Sequence, residues 1–273
     1  MSGAILSIFD QIIEYLNGED LKDILSEGLE TYIHEAYNLV LHLQEYVVGP
    51  LALAILSIFI LLEFQKISLK VEGAGGAPTL GFEMIIKAFI KFVICYNVVL
   101  RVQDILDAII IITGNLTARI VEVGNDGMLR EVSSIVRNAV NALSWWEQLV
   151  VLIVMSILFL VSLVVRVLIQ VTVYLRFLEL YIYCAMAPIP TSAMPSQEFS
   201  TMTKNFFKNF AASGLQASFI ALMLVIYPAL FLRIVNEFGT GIWSLILALS
   251  IYMIAMLLSI NKTKTWAKSI LSV

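Results

Sequence analysis

The chain has 273 residues, of which 60% are hydrophobic and only 14% charged, with a formal net charge of −4. So apolar a composition excludes a water-soluble globule of this length, and the lack of any Lys/Arg run excludes a basic nucleic-acid groove that the sequence alone would declare. The apolar residues collect in runs such as 149–165 and 242–260, each about the length that crosses a hydrocarbon core of ~30 Å. In lipid every backbone polar group must be satisfied within the segment, and without long alternating patterns the helix is the expected spanning element. The fold class expected is therefore all-α: a polytopic integral membrane protein of about five transmembrane helices behind an amphipathic N-terminal region.

Residues 1–46 are the most water-compatible part, with Asp10, Glu14, Glu19, Asp20, Asp23, Glu27, Glu30, Glu35 and Glu45 against a lone Lys22. Ile5, Ile8, Phe9, Ile12 and Leu16 recur at helical spacing, Asn17-Gly18 interrupts it, and Leu21, Ile24, Leu25, Leu29, Tyr32 and Ile33 resume it, which predicts two amphipathic helices. Their polar face is acidic rather than Lys/Arg-rich, so packing on protein is expected ahead of lying on lipid. The stretch from Met1 to Leu16 has no basic leader and no cleavage pattern, and is not expected to act as a secretory signal.

The transmembrane domain is expected over 47–273. Its first span covers about 47–64, and the loop that follows carries Lys66, Lys70 and a flexible Gly73–Pro78 stretch. That stretch lacks the Gly-Lys-Ser/Thr ending of a phosphate loop and reads as a linker. A second apolar helix over 82–113 holds Lys87, Lys91, Arg101, Asp104 and Asp107; at 1.5 Å per residue it is about 50 Å long, so its charged ends leave the hydrocarbon and Lys87 and Lys91 are expected to snorkel. A polar connection follows over 114–146, expected as a hairpin or two short amphipathic helices around Gly124–Gly127.

Between 147 and 187 there is neither Gly nor Pro. One helix of about 60 Å is preferred over two spans turning near Arg166–Gln170, because it lets Arg166, Arg176 and Glu179 reach the interface, where the ~2.5–3.5 kcal/mol cost of a midplane charge is avoided. Pro188-Ile189-Pro190 stops it, a loop runs to Thr203, and two spans over 205–234, with a kink expected at Pro228, and 241–260 complete the domain. Lys66 and Lys70, Lys204 and Lys208, and the tail lysines Lys262, Lys264 and Lys268 fall on one side of a five-span arrangement. Positive charge favours the cytoplasmic side, so the N-terminus is expected outside and the C-terminus in the cytoplasm. The three arginines of 114–146 (Arg119, Arg130 and Arg137) pull the other way, and a hairpin at Arg166 would give six spans.

No His-Glu-x-x-His, Cys-x-x-Cys, phosphate-loop or Gly-x-Ser-x-Gly motif occurs, so no catalytic, metal or cofactor-binding residue is expected. His34 and His42 lack the i, i+4 spacing of a helical metal pair, and Cys95 and Cys184, far apart in apolar stretches, read as small hydrophobes. Intramembrane charges are the residues with a claim to function. Arg101 with Asp104, and Arg176 with Glu179, sit at i, i+3 and are expected to pair locally, either holding helices or subunits in register or lining a polar passage. Pro188 and Pro190 are a candidate hinge, against the simpler reading that they end a helix. The small residues Ala211–Gly214, Ala217 and Ser218 are candidates for close helix packing between protomers.

Tyr174–Tyr181 (Tyr-Leu-Arg-Phe-Leu-Glu-Leu-Tyr), then Ala187-Pro188-Ile189-Pro190, then Lys204-Asn205-Phe206 resemble the TrbL-like polytopic subunit of type IV secretion systems, in the branch found on conjugative elements of Gram-positive bacteria. The likeness extends more loosely from Val47 to the C-terminus, including Leu61-Leu62-Glu63-Phe64 at the end of the first span. The resemblance implies a channel or scaffold subunit in the cytoplasmic membrane that helps pass single-stranded DNA with its relaxase. Implied partners are ATPases, a coupling protein, pilin-like or wall-spanning components and further copies of the chain. It supplies no catalytic residues and no cofactor. The rivals are a small-solute transporter, which would show paired repeats with broken helices, a holin-like pore, and an intramembrane enzyme, for which no nucleophile and base stand at workable spacing.

Overall fold

The computed structural model describes residues 1–17, 19–73, 78–124, 127–196, 198–239 and 241–272. Among these there is no strand: the elements are α1 (Ser2–Asn17), α2 (Glu19–Ser26), α3 (Leu29–Tyr32), α4 (His34–Leu43), a π-helical turn (Gln44–Val48), α5 (Gly49–Gly73), α6 (Pro78–Leu100), α7 (Val102–Val123), α8 (Gly127–Asn141), α9 (Trp145–Met186), α10 (Pro188–Ser192), α11 (Ser200–Phe238) and α12 (Ile242–Ile270). Four continuous helical stretches are long and apolar enough to cross a membrane: His34–Gly73, Trp145–Met186, Ser200–Phe238 and Ile242–Ile270. Their side chains are largely bare, with Leu61, Leu160 and Leu258 more than 60% exposed. Surfaces of that kind are stable only against lipid, so the protein is an all-α, multi-pass membrane protein.

The chain divides into two compact units. The first gathers Met1–Glu27, Thr113–Arg176 and Leu215–Ala267. Here α1 packs on α8, and the helical spacing seen in the sequence becomes a buried face of Ile5, Phe9, Ile12 and Leu16 on one helix and Val132, Val136 and Val140 on the other. The acidic edge of α1 is tied across by Ser133, whose hydroxyl donates to Asp10 Oδ1 at 3.3 Å. Packing on protein is thus what the acidic N-terminal helix does, and the protein is its own chain. Deeper in this unit Tyr227 and Phe231 meet Tyr252 edge-on, with ring centroids 5.7 and 5.6 Å apart, and the Tyr227 hydroxyl donates to the Ala255 carbonyl at 2.9 Å.

The second unit gathers Gly28–Ile112, Phe177–Gly214 and Lys268–Val273. In it α5 and α6 pack together and α10 lies against both; Ala52 and Leu56 of α5 and Cys95 and Val99 of α6 are fully covered, with Met194 beside them. Within the N-terminal region the boundary between the two units falls between Glu27 and Gly28.

Two expectations change here. The stretch 82–113 is not one helix but α6 and α7, which part at Arg101. No Gly or Pro marks this break in the sequence. The backbone N–H of Arg101 still donates to Asn97 at 3.0 Å. Nor do Lys87 and Lys91 simply snorkel. Lys87 pairs with Glu83 one turn earlier, and Lys91 reaches Glu63 of α5 at 3.7 Å. Of the glycine-rich linker, 74–77 lie outside the described residues, as do 125–126 of the turn expected between α7 and α8.

Candidate functional site

The polar chemistry of the second unit concentrates where α4, the start of α7, the end of α9 and α10 meet. Tyr37 on α4 is buried and donates its hydroxyl to Asp107 Oδ2 at 2.9 Å. Gln103, one helical turn before Asp107, gives its amide N–H to Asp107 Oδ1 at 2.9 Å, and the same Nε2 lies 3.9 Å from the Cys184 sulfur. A carboxylate at this depth is tolerable because two donors converge on it. Sequence reading passed over this trio. Asp107 was visible only as a charge in an apolar stretch, and neither Tyr37 nor Gln103 carries a motif.

The end of α9 continues the same theme. Tyr181 donates to the Leu29 carbonyl at 2.7 Å, supplying a partner that the one-turn helix α3 lacks in itself, and Tyr32 stacks on Phe177 with centroids 3.7 Å apart. Tyr183 faces the Glu179 carboxylate and the edge of Phe206.

The proline element follows. Pro188 occupies the first turn of α10, where its missing N–H costs nothing. Carbonyls through this short element also receive hydroxyls: Thr191 Oγ1 donates to Ala187 and Pro188, both at 2.9 Å, Ser192 to Ile189 at 2.7 Å, and Thr203 to Pro190 at 2.6 Å. Pro188 and Pro190 are themselves buried. These bonds brace the Pro188–Pro190 element, and of the segment expected as a loop the first two residues belong to α10 and the last four, from Ser200, to α11.

The intramembrane charges divide by unit. Arg176 is 4% exposed and directs Nη1 to the Leu25 carbonyl at 3.5 Å, a cation at the C-terminal end of α2 where helix carbonyls are unpaired. Arg101 and Asp104 do not pair. Arg101 stands exposed at the α6/α7 break and Asp104 in the first turn of α7, so they no longer share one helix face, and among the described residues no ion pair joins them.

The small-residue face is real but internal. Ala217 and Ser218 are 1% and 4% exposed and Gly214 is buried; Ser218 Oγ lies 2.8 Å from Thr117 Oγ1. Close approach is used here within the protomer.

No group of three or more His, Cys, Asp or Glu able to hold a metal occurs among the described residues. What the arrangement offers is structural: buried hydroxyls, amides and one carboxylate that lock irregular backbone inside a membrane bundle. The family model for TrbL/VirB6 plasmid conjugal transfer like proteins matches residues 21–188, which takes in α3 to α9, the Tyr37–Gln103–Asp107 trio and Pro188. The chain belongs to this family. No curated protein and no solved structure matches it. As a TrbL/VirB6-family protein it is a membrane component of a type IV secretion or conjugal transfer system, multi-pass in the inner membrane, and works with other components of that machine. Family members are structural parts of these machines.

Proposed function

We propose that this TrbL/VirB6-family chain is a channel or scaffold subunit that helps single-stranded DNA, with its attached relaxase, cross the cytoplasmic membrane. The observation that carries the reading is the family match over 21–188, on a chain whose long helices leave broad apolar surfaces for lipid and neighbouring subunits. The protein works as a homo-oligomer alongside ATPases, a coupling protein and pilin-like or wall-spanning components. Five crossings are the four long apolar stretches together with α6, which carries Glu83, Lys87 and Lys91. Lysines at 204, 208, 262, 264 and 268 support a cytoplasmic C-terminus and an outside N-terminus.

Cross-linking with formaldehyde in mating donor cells, followed by capture of the tagged protein, tests the translocation role. Recovery of the transferring strand well above a plasmid that cannot be mobilised is expected. Transfer proceeding at full rate with no strand enrichment would contradict contact with the substrate and leave only the scaffold role.

A further inference from the structure

The π-helical turn that joins α4 to α5 opens a cavity of about 510 Å³ in the second unit. Its walls are Leu53 of α5 and Val99 and Leu100 of α6, with Pro50 and Pro188, and its polar lining is Gln44, Glu45 and Gln103. Gly49 belongs to the turn for a steric reason: a Cβ there would stand 2.9 Å from the Gln44 carbonyl oxygen. A π turn bulges the backbone and re-aims side chains, and such turns concentrate at functional sites.

Two observations say that something is meant to fill this space. Gln44 is 8% exposed, yet its Oε1 has no hydrogen-bond partner, and Gln103 Oε1, also on the lining, has none either. Both are acceptors. The third polar group, Glu45, is a carboxylate and therefore also an acceptor, and among the described residues no Lys, Arg or His is on the lining. A buried acceptor left without a donor costs about 1–3 kcal/mol, so two at one cavity select an occupant that donates and carries positive charge.

Position narrows the occupant further. Along the helix from Gln44 to Glu63 is about 28 Å, close to the hydrocarbon thickness of ~30 Å. Glu63 pairs with Lys91 and Lys66 with Glu198, so this charged layer marks one membrane surface and Gln44 and Glu45 lie at the other. Around the cavity the helix exposes Tyr46, Val47, Leu51 and Leu100, each more than half bare. What reaches its mouth is therefore lipid, headgroup first.

We infer that this cavity binds the ammonium group of an amine-bearing phospholipid headgroup, with Gln44 and Gln103 as hydrogen-bond acceptors and Glu45 as the counter-charge. Leu53, Val99 and Leu100 flank the upper acyl segment. An anionic headgroup without an amine meets only acceptors and the Glu45 charge, and is rejected.

The test uses the purified full-length protein, delipidated in detergent and offered equimolar phosphatidylethanolamine and phosphatidylglycerol, with retained lipid counted by native mass spectrometry. Phosphatidylethanolamine is expected to be retained about tenfold over phosphatidylglycerol, and Gln44→Leu to remove most of that preference, as loss of one hydrogen bond to a charged donor predicts. Glu45→Gln, on an exposed side chain that leaves folding intact, is expected to reduce the preference without abolishing it. Soluble phosphoethanolamine is expected not to displace the lipid, since it lacks the acyl chain that the apolar wall holds; displacement by it would assign the site to a free amine instead. Equal retention of both lipids by the wild type, or a preference unchanged in both variants, would overturn the inference and leave the cavity to water.

Discussion

Tyr37→Phe removes one hydroxyl and nothing else, so it tests the link between α4 and α7: the bond donated to Asp107 and the longer 3.5 Å contact from Gln103 Nε2. The bond lost is 2.9 Å long and ends on Asp107. Hydrogen bonds between helices in membrane bundles average ~0.6 kcal/mol and reach ~1.7, and an ionised acceptor about doubles a neutral bond. Gln103 keeps its own 2.9 Å bond to the other oxygen, so the carboxylate is not orphaned and the full penalty of about 1–3 kcal/mol is not reached. The expected cost is about 1–1.5 kcal/mol. Unfolding by SDS in mixed micelles, followed by tryptophan fluorescence, measures it. Asp107→Asn should cost a similar amount, and the double variant less than the sum, with a coupling of at least ~0.5 kcal/mol. Additive losses, or a Tyr37→Phe protein within ~0.3 kcal/mol of wild type, would refute the claim that this bond holds the two helices together.

Further outcomes follow from the same geometry. Thr203→Val strips the Pro190 carbonyl of its 2.6 Å donor in a buried site and should cost about 1–2 kcal/mol in the same assay, whereas charge removal at the exposed Lys66–Glu198 pair should change stability by less than ~0.5 kcal/mol. Gly49→Ala forces its Cβ against the Gln44 carbonyl and should lower the yield of folded protein in membranes, as size-exclusion profiles would record. Pro188→Ala with Pro190→Ala should leave transfer close to wild type, because the elbow is braced by Thr191, Ser192 and Thr203 rather than by the prolines alone; a severe transfer defect in a protein that still reaches the membrane would restore the hinge. A single cysteine at Ser269, in a protein lacking Cys95 and Cys184, should resist impermeant maleimide in intact cells and react after permeabilisation.

The sequence was legible where structure is local. Ile5, Phe9, Ile12 and Leu16 announce a buried helix face by spacing alone, and the long apolar runs announce an all-α membrane fold by composition. It was illegible where a partner comes from far along the chain. Lys91 looked like a snorkelling lysine because Glu63 sits on the preceding helix, and Asp107 looked like an isolated charge because Tyr37 is contributed by the N-terminal region. Ala217 and Ser218 were recognisable as a close-packing face, but only the contact with Thr117 shows that the face is spent inside the protomer. The break at Arg101 had no Gly or Pro to signal it.

The most direct test of the account is the transfer frequency of a donor carrying an in-frame deletion of this gene, with and without the gene supplied in trans and membrane localisation checked in parallel. Transfer lost by the deletion and restored by the complementing copy is the result predicted for a conjugation-channel subunit. Transfer unchanged in cells shown to lack the protein would contradict it.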